Sequence, residues 1–308
     1  MTDLTVTQQS VPARWWERGR VLMLDPRYLI AFLITVVLVG AEFQFGAIGG
    51  YQRLGLALLT TTMTEAMLSW FMRGKVVNLQ SAYISGISLT LLLKPQGALL
   101  WPFALGGFLA ISSKYVLRYR DQHLWNPTNF AITALLLATP DRISILSQQW
   151  GNDFATNLVI WCFGLVIVSR VKVLHITLTY IASFFVLNGL RSFLLGQPVL
   201  PEIAPITGPM YQLFIFFMIT DPRTTVRGKR KQMVVVFLVA LVEALIRLAA
   251  DQGAQLPTAF YVGPPFLALF IVGPVAKWLE TRKKAASPGG RPATPHATQS
   301  APVAGSAA

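Results

Sequence analysis

A single cysteine, Cys162, serves the 308 residues of this chain. No intrachain disulfide can form, and no cysteine-held iron–sulfur cluster can be built. Histidine is nearly as scarce: His123, His175 and His296 stand apart, without metal-ligand spacing and without a pair suited to haem. There is no Walker loop, no GxGxxG following a strand and no HExxH. Any electrons that pass through such a chain must travel on an organic cofactor. Charge is the other shortage. Asp, Glu, Lys and Arg make up 13% of the residues, against about 25% in a soluble domain. Hydrophobic residues make up 54%, and the mean hydropathy is +0.54. This composition implies a polytopic membrane protein.

The few charges are mostly positive, with 26 Lys and Arg against 13 Asp and Glu. In a soluble protein that excess would suggest nucleic acid. Here the basic residues gather at the ends of apolar runs, so no nucleic-acid partner is expected; the partner is the bilayer. Hydropathy gives about ten apolar spans, at 28–46, 54–72, 80–93, 98–117, 128–139, 154–169, 173–194, 204–220, 233–250 and 258–278. With the N-terminus placed in the cytoplasm, alternation puts 21 of the 26 Lys and Arg on the cytoplasmic side, Lys114 and Arg223 among them. A miscounted span would scramble that asymmetry, so ten spans with both termini inside is the reading. Residues 1–27, with Trp15 and Trp16 among arginines, suit a cytoplasmic segment with an interfacial helix, and no cleavable signal peptide is expected. Residues 281–308 turn to Ala, Pro, Gly, Ser and Thr and predict a disordered tail.

The membrane part also echoes itself. Ser81–Pro95 and Gly208–Pro222 are short spans, each ending on a charged residue and a proline. Further on, Pro127-Thr128-Asn129-Phe130 is answered by Pro257-Thr258-Ala259-Phe260. The offsets are 127 and 130 residues, and five spans separate each pair. An odd number of spans inverts the second copy, which predicts two inverted five-helix halves at about 28–150 and 151–280, with a binding site at short or broken helices near the midplane. Asn126 and Pro127 read as a helix cap and first helical residue. Pro264 and Pro265 should break the last span.

Ionisable residues inside spans are costly and stand as ion or proton candidates. Glu65 lies among threonines in the second span without a cation nearby in sequence; it could be protonated, or meet Lys114 or Arg247 across the bundle. Glu243 and Arg247 are spaced i, i+4 and can pair on one helix face, which is the more ordinary structural use. Lys114 either snorkels to the interface or serves a site.

The order of motifs carries a resemblance. A short span with Ser85-Gly86 and a following proline leads through a basic loop to Asn126-Pro127-Thr128-Asn129. Late in the chain comes Met218–Gly228, MITDPRTTVRG. This arrangement resembles the NqrB/RnfD family, membrane redox components of the sodium-translocating NADH:quinone reductase and of the Rnf complex. It is nearest to the family's stand-alone UnbU-like branch. The resemblance covers most of residues 28–280. It implies an all-α polytopic protein of the bacterial inner (cytoplasmic) membrane, ten helices in two inverted halves, a flavin (FMN or riboflavin), and a role in electron transport beside redox partner proteins. On that reading the chain is one component of an ion-translocating oxidoreductase rather than a stand-alone enzyme. In the redox complexes an FMN is joined to a threonine within a Ser-containing motif preceded by an acid. The nearest candidate here is Thr139 in Leu137-Ala138-Thr139-Pro140, which has neither the serine nor the acid, so attachment is expected to be noncovalent. Ser85, Gly86, Lys114, Asn126, Thr128, Asn129, Asp221, Arg223 and Thr224 are the expected cofactor residues. The alternative is a transporter of a flavin or a hydrophobic metabolite on the same scaffold.

Overall fold

A computed structural model describes residues 26–46, 48–145 and 154–286. The expected interfacial helix around Trp15 and Trp16 and the tail from residue 287 onward lie outside the described residues. Residues 281–286 continue the last helix instead of starting the tail.

Every apolar span of the sequence is helical, and twelve α-helices form in all among the described residues. The first half holds α1 (Pro26–Phe45), α2 (Tyr51–Arg73), α3 (Gln80–Leu92), α4 (Trp101–Val116) and α5 (Pro127–Ala138). The second holds α6 (Phe154–Arg170), α7 (Leu174–Leu195), a short α8 (Val199–Ile203), α9 (Pro209–Leu213), α10 (Lys229–Asp251), α11 (Thr258–Val262) and α12 (Pro264–Ala286). Three of these, α1, α7 and α10, are long and apolar enough to cross a membrane.

Local chemistry explains the boundaries. Asn126 accepts the Asn129 N–H at 3.0 Å and Pro127 opens α5, a side-chain cap followed by a residue with no N–H to satisfy. Gly74 and Gly196 stop α2 and α7 in the left-handed conformation that closes a helix. The eighth span is not one continuous α-helix. A 3-10 turn (Ala204–Thr207) leads into α9, and α9 runs into a π-helical turn over Phe214–Met218. The last span breaks at Gly263, between α11 and α12, where Pro264 and Pro265 begin the longer piece.

The fold is mostly helical rather than all helical. Leu93–Pro95 (β1) pairs antiparallel with Ile143–Ile145 (β4). Pro95 drives the correction, because a residue before proline leaves the helical region for an extended one. Arg118–Tyr119 (β2) and Gln122–His123 (β3) form a hairpin whose turn residues, Arg120 and Asp121, both have positive φ.

Helix packing runs in matching pairs. α2 packs on α4 and α7 on α10; α4 packs on α5 and α10 on α12; α1 packs on α3 and α6 on α9. The halves meet where α1 touches α6 and α5 touches α12. Close approach of α3 to α2 depends on Gly86: a Cβ there would sit 2.9 Å from the Thr61 hydroxyl and 3.3 Å from the Leu58 Cα. Large apolar side chains remain exposed around the periphery, Phe43, Phe71 and Phe193 most of all, a surface suited to lipid rather than water.

Candidate functional site

The cap of α5 is also one wall of a cavity. Asn126 spends its oxygen on the helix and its amide on the other half of the molecule, donating to Asp221 Oδ2 at 3.2 Å. Asp221 follows the π-turn and gathers its own loop. It accepts the Arg223 N–H at 3.0 Å and the Thr224 hydroxyl at 3.1 Å, and its carbonyl accepts the Thr225 hydroxyl. The first turn of α5 and the 221–224 turn thus hold each other, and a cavity of about 270 Å³ lies between them.

That cavity has two faces. Ser85, Lys114, His123, Asn126, Thr128 and the 221–224 turn supply the polar one. Ile30 and Ile34 of α1, Leu213, and Phe216 and Phe217 of the π-turn supply the apolar one. Its size falls just below the range of small-molecule clefts, about 300–1,000 Å³, so it suits a planar ring system more than a whole dinucleotide.

Charge in the site is mostly settled internally. Lys114 is buried and pairs with Glu65 at 2.7 Å, the two side chains being 7% and 6% exposed. Ser81 accepts a further bond from Lys114 at 3.1 Å, and Tyr115 donates to Glu65 at 2.8 Å. Lys114 is therefore an interior residue and no part of the cytoplasmic surface charge. Asp221 is satisfied by three donors, as above. Among the described residues Arg223 has no ion-pair partner, and it stands exposed at the cavity rim. The cavity therefore carries the Asp221 carboxylate, held by neutral donors, and at its mouth an arginine that is in no ion pair among the described residues.

Two donor or acceptor groups on the polar face are also uncommitted. Asn126 takes the Asn129 and Phe130 N–H groups, which leaves the Thr128 N–H at the positive end of α5. Nδ1 of His123 is buried with no partner among the described residues. Burial, then the nearby Arg118 and Arg223 charges, hold His123 down to about 4, so the ring is neutral at pH 7 and presents one donor and one acceptor. The sign of the pH effect follows. Between pH 6.5 and about 4 the unfolded chain takes a proton that the folded chain refuses, so this contribution is present above pH 6.5 and lost on acidification. The thermal midpoint of the wild type should fall more steeply over that window than that of His123→Gln. Parallel curves would remove His123 from the buried wall.

Seven of the nine expected cofactor residues line this one cavity: Ser85, Lys114, Asn126, Thr128, Asp221, Arg223 and Thr224. Gly86 does not; it sits in the α2–α3 contact. Asn129 does not either, since its amide donates to Phe266 O at 3.2 Å and fixes α5 to α12. Thr139 lies at the far end of α5, its hydroxyl bonded back to Leu135 O, away from the cavity. Glu65 stands behind Lys114. Glu243 and Arg247 form their expected pair at 3.2 Å, with Tyr180 and Tyr211 both donating to the Glu243 carboxylate, but this buried cluster does not reach the cavity.

Sequence reasoning missed several lining residues. Ser81 and Ser88 join Ser85 in the wall, at i, i+4 and i+7, a one-face helical spacing that could have been read. His123 gave no local signal; the β2–β3 hairpin brings it in. No family model matches this chain, and none of the curated proteins matches it.

Proposed function

We propose that this chain is a ten-span component of a membrane electron-transport system, binding a flavin noncovalently in the cavity between its halves. The observation that carries the proposal is the convergence of two distant segments, Asn126–Thr128 and Asp221–Thr224, on one amphipathic cavity with an unpaired arginine at its rim. An isoalloxazine ring has an apolar benzenoid side and a polar pyrimidine edge. Phe216, Phe217 and Ile34 suit the first. Thr128, His123 and Ser85 suit the second with donors and acceptors, and Arg223 suits a phosphate or a reduced, anionic ring. The flavin would supply the electron chemistry that the side chains lack. The protein's part is to orient the ring, shield one face from water and balance its charge. On this reading the site relays electrons between partner proteins and does not convert a substrate by itself.

Packing supports the ten-span inverted repeat. Three contacts of the first half, α2–α4, α4–α5 and α1–α3, have counterparts in α7–α10, α10–α12 and α6–α9, and the halves meet through α1–α6 and α5–α12, each helix against its own counterpart. Contact between equivalent elements is what a two-fold axis produces. Buried charge repeats as well: Glu65 and Lys114 bridge α2 and α4, while Tyr180 and Glu243 bridge α7 and α10. Both termini would then lie in the cytoplasm of a bacterium, with the chain in its inner membrane.

The absorbance spectrum of detergent-purified protein, before and after acid precipitation, tests the proposal. A flavin spectrum that leaves with the acid supernatant is the expected result. Colour that stays with the pellet would mean covalent attachment. No flavin, and no uptake of added riboflavin or FMN, would remove the cofactor. The cavity lies at the seam where an alternating-access transporter holds its cargo, which favours transport as the second reading. Movement of riboflavin by proteoliposomes holding this chain alone would establish it.

A further inference from the structure

A second concave surface lies on the outside of the second half, between α10 and α12. It encloses about 550 Å³ and is lined almost entirely by aliphatic side chains. On α10 these are Val234, Val235, Leu238 and Val242; on α12 they include Ile271, Val275 and Leu279. Each set recurs every three or four residues, so each is one helix stripe. Val234, Leu238, Ile271, Val275 and Leu279 are all exposed, so no other described part of the chain covers the groove.

One end of the groove is different. Arg230 and Lys231 open it on α10, and Lys283 closes it on α12. All three are exposed, and among the described residues none has an ion-pair partner. Glu280 also touches this end, but its carboxylate is turned to the protein, accepting the Arg227 N–H at 2.8 Å and lying 3.9 Å from Lys277. The groove head therefore offers three uncompensated cations at the N-terminal end of a long helix, where the helix dipole adds to them.

Length fixes what fits. From Arg230 to Val242, and from Ile271 to Lys283, the groove follows twelve helical steps, about 18 Å at 1.5 Å per residue. One leaflet of the hydrocarbon core is about 15 Å, half of the ~30 Å total. A cationic head followed by one leaflet of aliphatic groove is complementary to an anionic lipid with its phosphate at the surface and a chain running inward.

We propose that the α10–α12 groove binds one anionic glycerophospholipid, its phosphate held by Arg230, Lys231 and Lys283 and an acyl chain laid along Val234, Leu238 and Val275. This inference rests on the membrane reading above but not on the flavin. None of the residues named for it lines the flavin cavity, so the two can fail separately.

Native mass spectrometry of the full chain in detergent, with phosphatidylglycerol or phosphatidylethanolamine of matched acyl chains, tests it. One phosphatidylglycerol should be retained preferentially. The triple variant Arg230→Ala, Lys231→Ala, Lys283→Ala should weaken that binding of order one hundredfold, at roughly 1 kcal/mol for each basic residue. Val234→Trp, which fills the groove and leaves the cations in place, should also reduce it. A wild-type unfolding temperature reports that each variant has folded, and any flavin bound by the wild type should be bound equally by the variants. Equal retention of the two lipids would overturn the proposal. So would a triple variant that binds normally, binding that survives Val234→Trp, or a dimer that occupies the groove in place of lipid.

Discussion

Lys114→Met should destabilise the detergent-purified protein by about 3–5 kcal/mol, the usual result of removing one partner from a buried ion pair. Adding Glu65→Leu should recover most of the loss. Lys114 and Glu65 have almost no exposure, and their contact at 2.7 Å joins α2 to α4. With the lysine gone, Glu65 keeps only the Tyr115 hydroxyl as a donor, and an ionised carboxylate remains inside the bundle. Removing both charges takes away the attraction and the desolvation cost together, which is why double replacement is milder than single. Unfolding midpoints of the wild type, both single variants and the double variant form the required cycle. Additive losses would mean that the two groups do not act as a pair, and an unchanged Lys114→Met midpoint would mean that Lys114 faces water.

Asp221→Ala should weaken flavin binding by about 10–100-fold. The carboxylate is the common acceptor for the Asn126 amide, the Thr224 hydroxyl and the Arg223 N–H. Its loss leaves the part-buried Asn126 amide and Thr224 hydroxyl without that acceptor, at a cost toward the lower end of the about 1–3 kcal/mol of a fully buried group, while water takes over the exposed Arg223 N–H. The Asn126 contact is the polar link between the two segments that define the cavity, so the effect falls on the site's shape as well as its charge. Asp221→Asn keeps an acceptor in place and should lose less. Riboflavin titration by quenching of flavin fluorescence gives both values. Equal affinity for Asp221→Ala and wild type would separate the 221–224 turn from the ligand.

How far the sequence could be read depended on the range of each interaction. The α5 start was legible because Asn126 and Pro127 act within one turn, and the Glu243–Arg247 pair was legible because i, i+4 residues share a helix face. The break before Pro264 was legible from the prolines alone. For Glu65 the sequence offered Lys114 or Arg247 and could not choose, since 49 residues separate Glu65 from the lysine it meets. His123 was hidden although it stands three residues from Asn126: it is turned into the cavity on β3 by a hairpin whose bend at Arg120 and Asp121 left no signal in the composition. Gly86 reads as ligand-facing in the sequence because its motif stands beside Ser85. Successive helix positions are about 100° apart, so Ser85 faces the cavity while Gly86 faces α2. The strand pairing of Leu93–Pro95 with Ile143–Ile145 joins segments 50 residues apart and left no periodic trace. The π-helical turn over Phe214–Met218 likewise has no composition of its own, yet it supplies much of the apolar wall.

In the function we propose, a flavin occupies this particular cavity. Fluorescence titration of riboflavin and FMN against wild type and Ser88→Trp tests it most directly. Ser88 lines the cavity and has no part in the polar contacts described above. Tryptophan there fills the space, removes only the Ser88 hydroxyl, and leaves Ser85, His123, Asn126, Thr128 and the charged residues in place. Saturable binding of one flavin per wild-type chain is expected, with loss of that binding in a Ser88→Trp protein that unfolds at the wild-type temperature. Undiminished flavin binding by that variant, or no binding by the wild type, would contradict it.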